Sequence, residues 1–231
     1  MHSLLTGKTL IAFDLDGTLI DSVPDLTAAV GQALAAQGLA VPTESEVRHW
    51  VGNGAPVLVE RALSWALAQT SSQTPDEALN ARTYADFLRF YAAEPSARTR
   101  LYPGVKPALE ALHGAGFSLA LITNKPARFI DPILESFGLN AFFSLCLGGD
   151  SLAQKKPDPL PLNHVAKTLG VEAHACVMVG DSRHDMAAGK AAGFTTVALP
   201  YGYNHGEPIA ASHPDWLLDS LSQLLTTETQ D

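Results

Sequence analysis

The chain has 231 residues, with 15 Lys and Arg against 24 Asp and Glu, a net charge of −9 and a pI of about 5.3. Its 46% hydrophobic and 17% charged content is that of a globular chain with a sizeable core, one large domain or one domain plus an insertion, and excludes a disordered chain or a disulfide-stapled scaffold. An acidic chain without a Lys/Arg block is not expected to bind nucleic acid, and no apolar run reaches the ~18 residues of a membrane span.

The N-terminal stretch Met1-His2-Ser3-Leu4-Leu5 has no cationic region and leads into two aspartates rather than a small-residue cleavage site. A signal peptide is therefore not expected, and the cytoplasm is the expected location. The first apolar run, Leu10–Phe13, stops at Asp14-Leu15-Asp16-Gly17-Thr18. Residues 21–98 read as all-helical. Three starts carry capping-box spacing, Ser22 with Asp25, Thr43 with Glu46 and Thr74 with Glu77, and Ala-rich stretches follow at 26–37 and 55–67. Glu94-Pro95-Ser96 and Tyr102-Pro103-Gly104 mark a return to strand-and-helix alternation.

From there apolar runs at 119–122, 176–179 and 195–199 alternate with helical patterns at 107–112, 127–137, 160–169 and 185–192. Gly138, Gly170 and Gly193 stand where helices would end, and Pro132 predicts a kink or a late helix start. Short, partly β-branched, non-alternating runs fit strands buried on both faces. The pattern predicts an α/β fold: a doubly wound parallel sheet, Rossmann-like, formed by 1–20 and 99–231, with 21–98 inserted as a helical cap. Ligands of such sheets sit beyond the carboxyl ends of the strands, where the polar clusters fall. The two cysteines, Cys146 and Cys176, are too few for a disulfide framework and are expected to be buried thiols. His174-Ala175-Cys176 is a poor zinc candidate.

Asp14 and Asp16, two apart on extended backbone, point to one side, so one can attack or bind metal while the other moves protons. A calcium loop does not fit, because Leu19 and Asp25 occupy the positions that would need Gly and Glu. Thr123 and Asn124 offer a neutral anion cradle, or Asn124 a helix cap. Lys156, held extended before Pro157, offers a point charge for phosphate, or is a surface lysine. Asp181 and Asp185 at i, i+4 are expected on one helical face, where they cap the helix or join Asp14 and Asp16 around Mg²⁺.

Together Phe13-Asp14-Leu15-Asp16-Gly17-Thr18, Ile122-Thr123-Asn124, Lys156-Pro157 and Gly180-Asp181-Ser182-Arg183-His184-Asp185 resemble, in order and across the whole chain, the haloacid dehalogenase-like superfamily and its Mg²⁺-dependent phosphatases. Val51-Gly52-Asn53-Gly54-Ala55, Gly148-Gly149-Asp150-Ser151 and Tyr201-Gly202-Tyr203-Asn204 resemble its branch acting on 2-phosphoglycolate. The resemblance implies a phosphomonoester hydrolase with Asp14 as nucleophile and Asp16 as acid and base. It places Mg²⁺ on Asp14, the Asp16 main-chain carbonyl and Asp181, and phosphate on Thr123, Asn124 and Lys156. Asp185 is expected to hold a metal-bound water or Lys156.

The expected partner is a small phosphorylated metabolite, with no membrane or nucleic acid, acted on by a monomer or small homo-oligomer. A sugar phosphate, such as a muramic acid 6-phosphate, or several small phosphates are the alternative. A mutase is disfavoured by Thr18, and a silent phospho-ligand sensor by the intact nucleophile. A dehydrogenase is excluded because no GxGxxG follows the first strand. In the insertion, Arg48, His49 and the Gly52-Asn53-Gly54 turn before a helix are candidates for a substrate carboxylate, the turn alternatively being a mere connection. Tyr201, Tyr203 and Asn204 either line the mouth or pack.

Overall fold

The computed structural model describes residues 1–70 and 75–226. The strands in chain order are β1 (Leu10–Phe13), β2 (Ile20–Asp21), β3 (Arg100–Leu101), β4 (Ser118–Ile122), β5 (Phe143–Leu147), β6 (Cys176–Gly180), β7 (Thr195–Ala198) and β8 (Trp216–Leu217). The helices are α1 (Val23–Ala36), α2 (Glu44–Trp50), α3 (Ala55–Thr70), α4 (Glu77–Ala93), α5 (Val105–Gly114), α6 (Ile130–Phe137), α7 (Leu160–Leu169) and α8 (Arg183–Ala192).

Six strands form a parallel sheet in the order β5-β4-β1-β6-β7-β8. β1 is interior, and all four of its residues are fully buried. Ile11 and Phe13 face one apolar layer with Leu121 and Val179, while Leu10 and Ala12 face the other with Ile122 and Met178. Burial on both faces is why these runs do not alternate in the sequence. β5 and β8 are the edges. Their half-buried side chains lack the continuous apolar signal, which is why sequence pattern misses them. Cys146 lies on edge strand β5 and is half-buried rather than buried; Cys176 is buried, and burial pushes both thiols up to about 11.

Three helix ends match expectation, with α6, α7 and α8 closing on left-handed Gly138, Gly170 and Gly193. Pro132 falls in the first turn of α6, after a short 3₁₀ turn at Ala127–Phe129, so the helix starts late rather than kinking. Thr43 and Glu46 form their capping box at α2. Ser22 and Asp25 do not: both side chains are spent on tertiary partners. Thr74 lies outside the described residues, and the α4 cap is Asp76, whose carboxylate accepts from Leu79 N–H at 2.6 Å.

α1 to α4 stand between β2 and β3, which pair antiparallel as a two-residue neck, Ile20 opposite Leu101 and Asp21 opposite Arg100. In α4, Thr83, Phe87 and Tyr91 recur every four residues and form its buried stripe. Phe87 stacks on Tyr91, which meets Phe129 edge-on at 4.9 Å. One continuous apolar cluster includes Val30, Leu63 and Phe87 from these helices and Phe13 and Val179 from the sheet. No helix among the described residues is long and apolar enough to cross a membrane.

Candidate active site

The chemistry sits where β1, β4 and β6 end. The Asp14 N–H donates to Val179 O at 3.0 Å, which holds the first carboxylate at the sheet edge. The chain then turns sharply, with Gly17 N–H donating back to Ile20 O. Gly17 has φ +89°, and a Cβ there would lie 2.1 Å from Asp181 Oδ2, so the turn requires glycine on both counts. Asp181 follows β6. It accepts from Thr18 Oγ1 at 2.7 Å and from Tyr203 N–H at 2.5 Å.

Asp181 precedes α8 rather than lying on its face, because Ser182 caps the helix. Asp185 closes the capping box, accepting from Ser182 N–H at 3.0 Å and Ser182 Oγ at 2.6 Å. Its other oxygen accepts from Lys156 Nζ at 2.6 Å. Lys156 also donates to Ile122 O at 2.5 Å and lies 3.0 Å from Asp14 Oδ1. It is a buried ion-pair partner, not a surface lysine; its bond to Pro157 is cis.

Asp14, Asp181 and Asp185 are buried, and one oxygen of each lies within 4.8 Å of the others. Burial pushes the Asp14 carboxyl up to about 7; Lys156 opposes this, and Asp185 and Asp16 add to it. Asp181 is raised by burial, then by Asp14 and Asp185. Burial works against the Lys156 ammonium, but Asp14 and Asp185 more than offset it and raise its pKa. Three desolvated carboxylate oxygens converging in this way are a donor set suited to a hard divalent cation.

Asp16 faces a different partner. Its carboxylate accepts from Ser22 Oγ at 2.5 Å and, through both oxygens, from Lys125 Nζ at 2.9 Å. Its side chain is not in the carboxylate cluster, so any share in metal binding falls to its main chain. Sequence reading missed Lys125. The available signal was its place directly after Thr123 and Asn124 at the end of β4. Burial works against its ammonium, yet Asp16 and then Tyr91 raise its pKa.

Thr123 Oγ1 accepts from Lys125 N–H at 3.2 Å and borders the cleft. The Asn124 amide donates to Gly52 O and Lys156 O, both at 3.0 Å, so its NH₂ ties the helical insertion to the sheet instead of standing free for an anion.

A solvent-open cleft of about 480 Å³ lies over this edge, lined by Asp14, Asp16, Thr123, Asn124, Lys125, Gly52, Gly54 and the apolar Phe87, Tyr91 and Phe129. The insertion candidates separate. Gly52 and Gly54 border the cleft at the α3 N-terminus. Asn53 bonds to His184 Nε2 at 2.7 Å, and its carbonyl accepts from Lys155 at 2.9 Å. Arg48 pairs with Asp21 at 3.2 Å, lies 5.0 Å from the Tyr203 ring centroid, and with His49 borders a neighbouring cavity. Asp21, at the neck, is the carboxylate that draws Arg48 away. Tyr201 donates to Thr18 O, and Tyr203 donates to Asp21, so both brace the loop behind Asp181; Asn204 accepts from Arg183 N–H.

Fold and site define a doubly wound α/β protein with a buried aspartate–lysine centre at the carboxyl edge of its sheet. The family model of the haloacid dehalogenase-like hydrolases matches residues 8–193, and the chain belongs to that family. It is 50% identical over 216 residues to a phosphoglycolate phosphatase of Vibrio parahaemolyticus, covering 94% of each chain. It is 50% identical over 226 residues to one from Pseudomonas syringae, covering 97% of this chain and 82% of that one. The crystal structure of a predicted phosphoglycolate phosphatase from Haemophilus somnus 129PT superposes with a TM-score of 0.91 at 41% identity, covering 95% of this chain and 97% of that chain. The protein is an enzyme of phosphoester hydrolysis.

Proposed function

We propose that this enzyme hydrolyses 2-phosphoglycolate to glycolate and phosphate with the help of Mg²⁺, residues 21–98 serving as a cap over a core of 1–20 and 99–231. The observation that carries the reading is Asp14: buried, at the end of the first strand, 3.0 Å from Lys156 and within the three-carboxylate cluster. An Asp14 oxygen attacks phosphorus, and the bond from phosphorus to the ester oxygen breaks as Asp16 gives that oxygen a proton, leaving an aspartyl-phosphate on Asp14. Asp16 then takes a proton from water, whose oxygen attacks phosphorus, and Asp14 and phosphate separate.

Lys156 and the Thr123 hydroxyl hold phosphoryl oxygens; Asn124 acts through its bonds to Gly52 and Lys156. Asp14 and Asp181, with the Asp16 main-chain carbonyl, would hold Mg²⁺, which would supply charge neutralisation for the phosphoryl group. Asp185 keeps Lys156 in place.

The test is phosphate release with Mg²⁺, comparing kcat/KM for 2-phosphoglycolate with a panel of sugar phosphates. A preference of about 10²-fold, or 2.7 kcal/mol, is expected, and Asp14→Asn should lower kcat by about 10³-fold or more. A sugar phosphate winning would discard the substrate, and an active Asp14→Asn variant would discard the mechanism.

A further inference from the structure

The cleft beside Asp14 holds one positive side chain that phosphoryl transfer does not use. Lys125 is 5% exposed and lies 4.9 Å from the Tyr91 ring centroid, with Phe87 and Phe129 on the same wall. Among the described residues lining the cleft it is the only cation, since Arg48 and His49 open on the neighbouring cavity. In this apolar setting an ammonium attracts a carboxylate far more strongly than it would in water.

Its position creates a conflict that a substrate must resolve. Lys125 spans both oxygens of Asp16, and Ser22 Oγ occupies one of them as well. Both Asp16 oxygens are thus tied to Lys125, and that ion pair competes with holding a proton for the ester oxygen. In 2-phosphoglycolate the carboxylate is attached to the carbon that bears the ester oxygen. A group that receives the carboxylate must therefore stand beside the group that protonates the ester oxygen, which is the relation of Lys125 to Asp16.

Resting on the phosphoglycolate reading above, we propose that Lys125 is the receptor for the substrate carboxylate and that binding it releases Asp16. The two carboxylates exchange on one ammonium: substrate takes Lys125, and Asp16 turns to the ester oxygen. The α3 N-terminus at Gly54, on the same cleft, adds a second positive end. A phosphomonoester without a carboxylate leaves that ion pair in place and is a poor substrate even though its phosphate fits.

The experiment compares 2-phosphoglycolate with ethyl phosphate, which lacks only the carboxylate function, in the Mg²⁺-loaded wild type, Lys125→Met and Lys125→Arg. The ratio of the two kcat/KM values is expected to fall ten- to hundredfold in Lys125→Met, about 1.4 to 2.7 kcal/mol of discrimination, mainly through KM for 2-phosphoglycolate. Lys125→Arg should restore part of it. A ratio within threefold of wild type in Lys125→Met would overturn the assignment, because Lys125 would then serve both substrates alike as a brace for Asp16.

A second measurement needs no variant and guards against misfolding. Added acetate, supplying the carboxylate separately, should raise wild-type turnover of ethyl phosphate severalfold, and inhibition alone would count against the exchange. A wild type that does not prefer 2-phosphoglycolate over ethyl phosphate removes the substrate reading itself; a preference that persists in Lys125→Met removes only the role of Lys125.

Discussion

Five buried or half-buried aspartates do five jobs here, and their neighbours decide which. Asp14 faces Lys156, Asp16 faces Lys125, Asp181 is held by Thr18 and Tyr203, and Asp185 closes the Ser182 capping box of α8 while binding Lys156. Asp25 is structural. It accepts from the Arg98 and Thr99 N–H groups, at 2.9 and 2.7 Å, and from Thr99 Oγ1 at 2.6 Å, which fastens the first helix to the chain returning toward β3. Asp25→Ala strands those donors out of water, and hydrogen bonds to a charged group contribute about 1.5–3 kcal/mol each. Urea unfolding should show a loss of about 3 kcal/mol, with Asp25→Asn intermediate. Gly17→Ala pushes a methyl into Asp181. The Mg²⁺ concentration for half-maximal activity should rise by about ten- to a hundredfold, the usual range for disturbing a ligand's support. An unchanged Mg²⁺ dependence would show that Asp181 is not a ligand.

At the scale of elements, the sheet and the α4 stripe do different work. β1 is held between β4 and β6 in register over its whole length, so its carboxyl end is a rigid platform for Asp14. The α4 stripe instead closes the cleft with apolar surface: Phe87, 1% exposed, stacks on Tyr91, over which Lys125 lies. Phe87→Ala removes a fully buried ring from one continuous core and should cost about 3–5 kcal/mol by chemical denaturation. It also loosens the wall against Lys125, so KM for 2-phosphoglycolate should rise in whatever fraction stays folded.

For the whole molecule, four polar links among the described residues join the helical insertion to the core beyond the β2–β3 neck. Asn124 reaches Gly52, His184 reaches Asn53, Lys155 reaches the Asn53 carbonyl, and His205 reaches the His49 carbonyl. Most are neutral contacts at the edge of the cleft, worth about 1 kcal/mol each, and they add to the continuous apolar cluster that the insertion shares with the sheet. Asn53→Ala with Lys155→Ala should speed trypsin cleavage within residues 21–98 and raise KM severalfold. Cleavage at the wild-type rate would mean that the apolar contacts alone hold the insertion closed.

The sequence by itself showed the doubly wound core and the helical insertion, because apolar runs that stop at polar clusters and glycines at helix ends are local signals; Asp14, Asp16, Lys156 and Asp181 stood out through the order of their motifs along the chain and the family resemblance that order carries. The edge strands β5 and β8 stayed illegible, since half-buried strands lack a continuous apolar run. Only the tertiary structure decided how charges pair across long separations. Lys125 meets Asp16 across 109 positions, Arg48 turns to Asp21 rather than to the cleft, and Asn124 spends its amide on Gly52. Which carboxylate a buried cation finds depends on how strands and helices pack, because pairing strength falls with distance and rises with desolvation. That packing gave Lys125 its place in the cleft, where the chain alone showed only a lysine at the end of a strand.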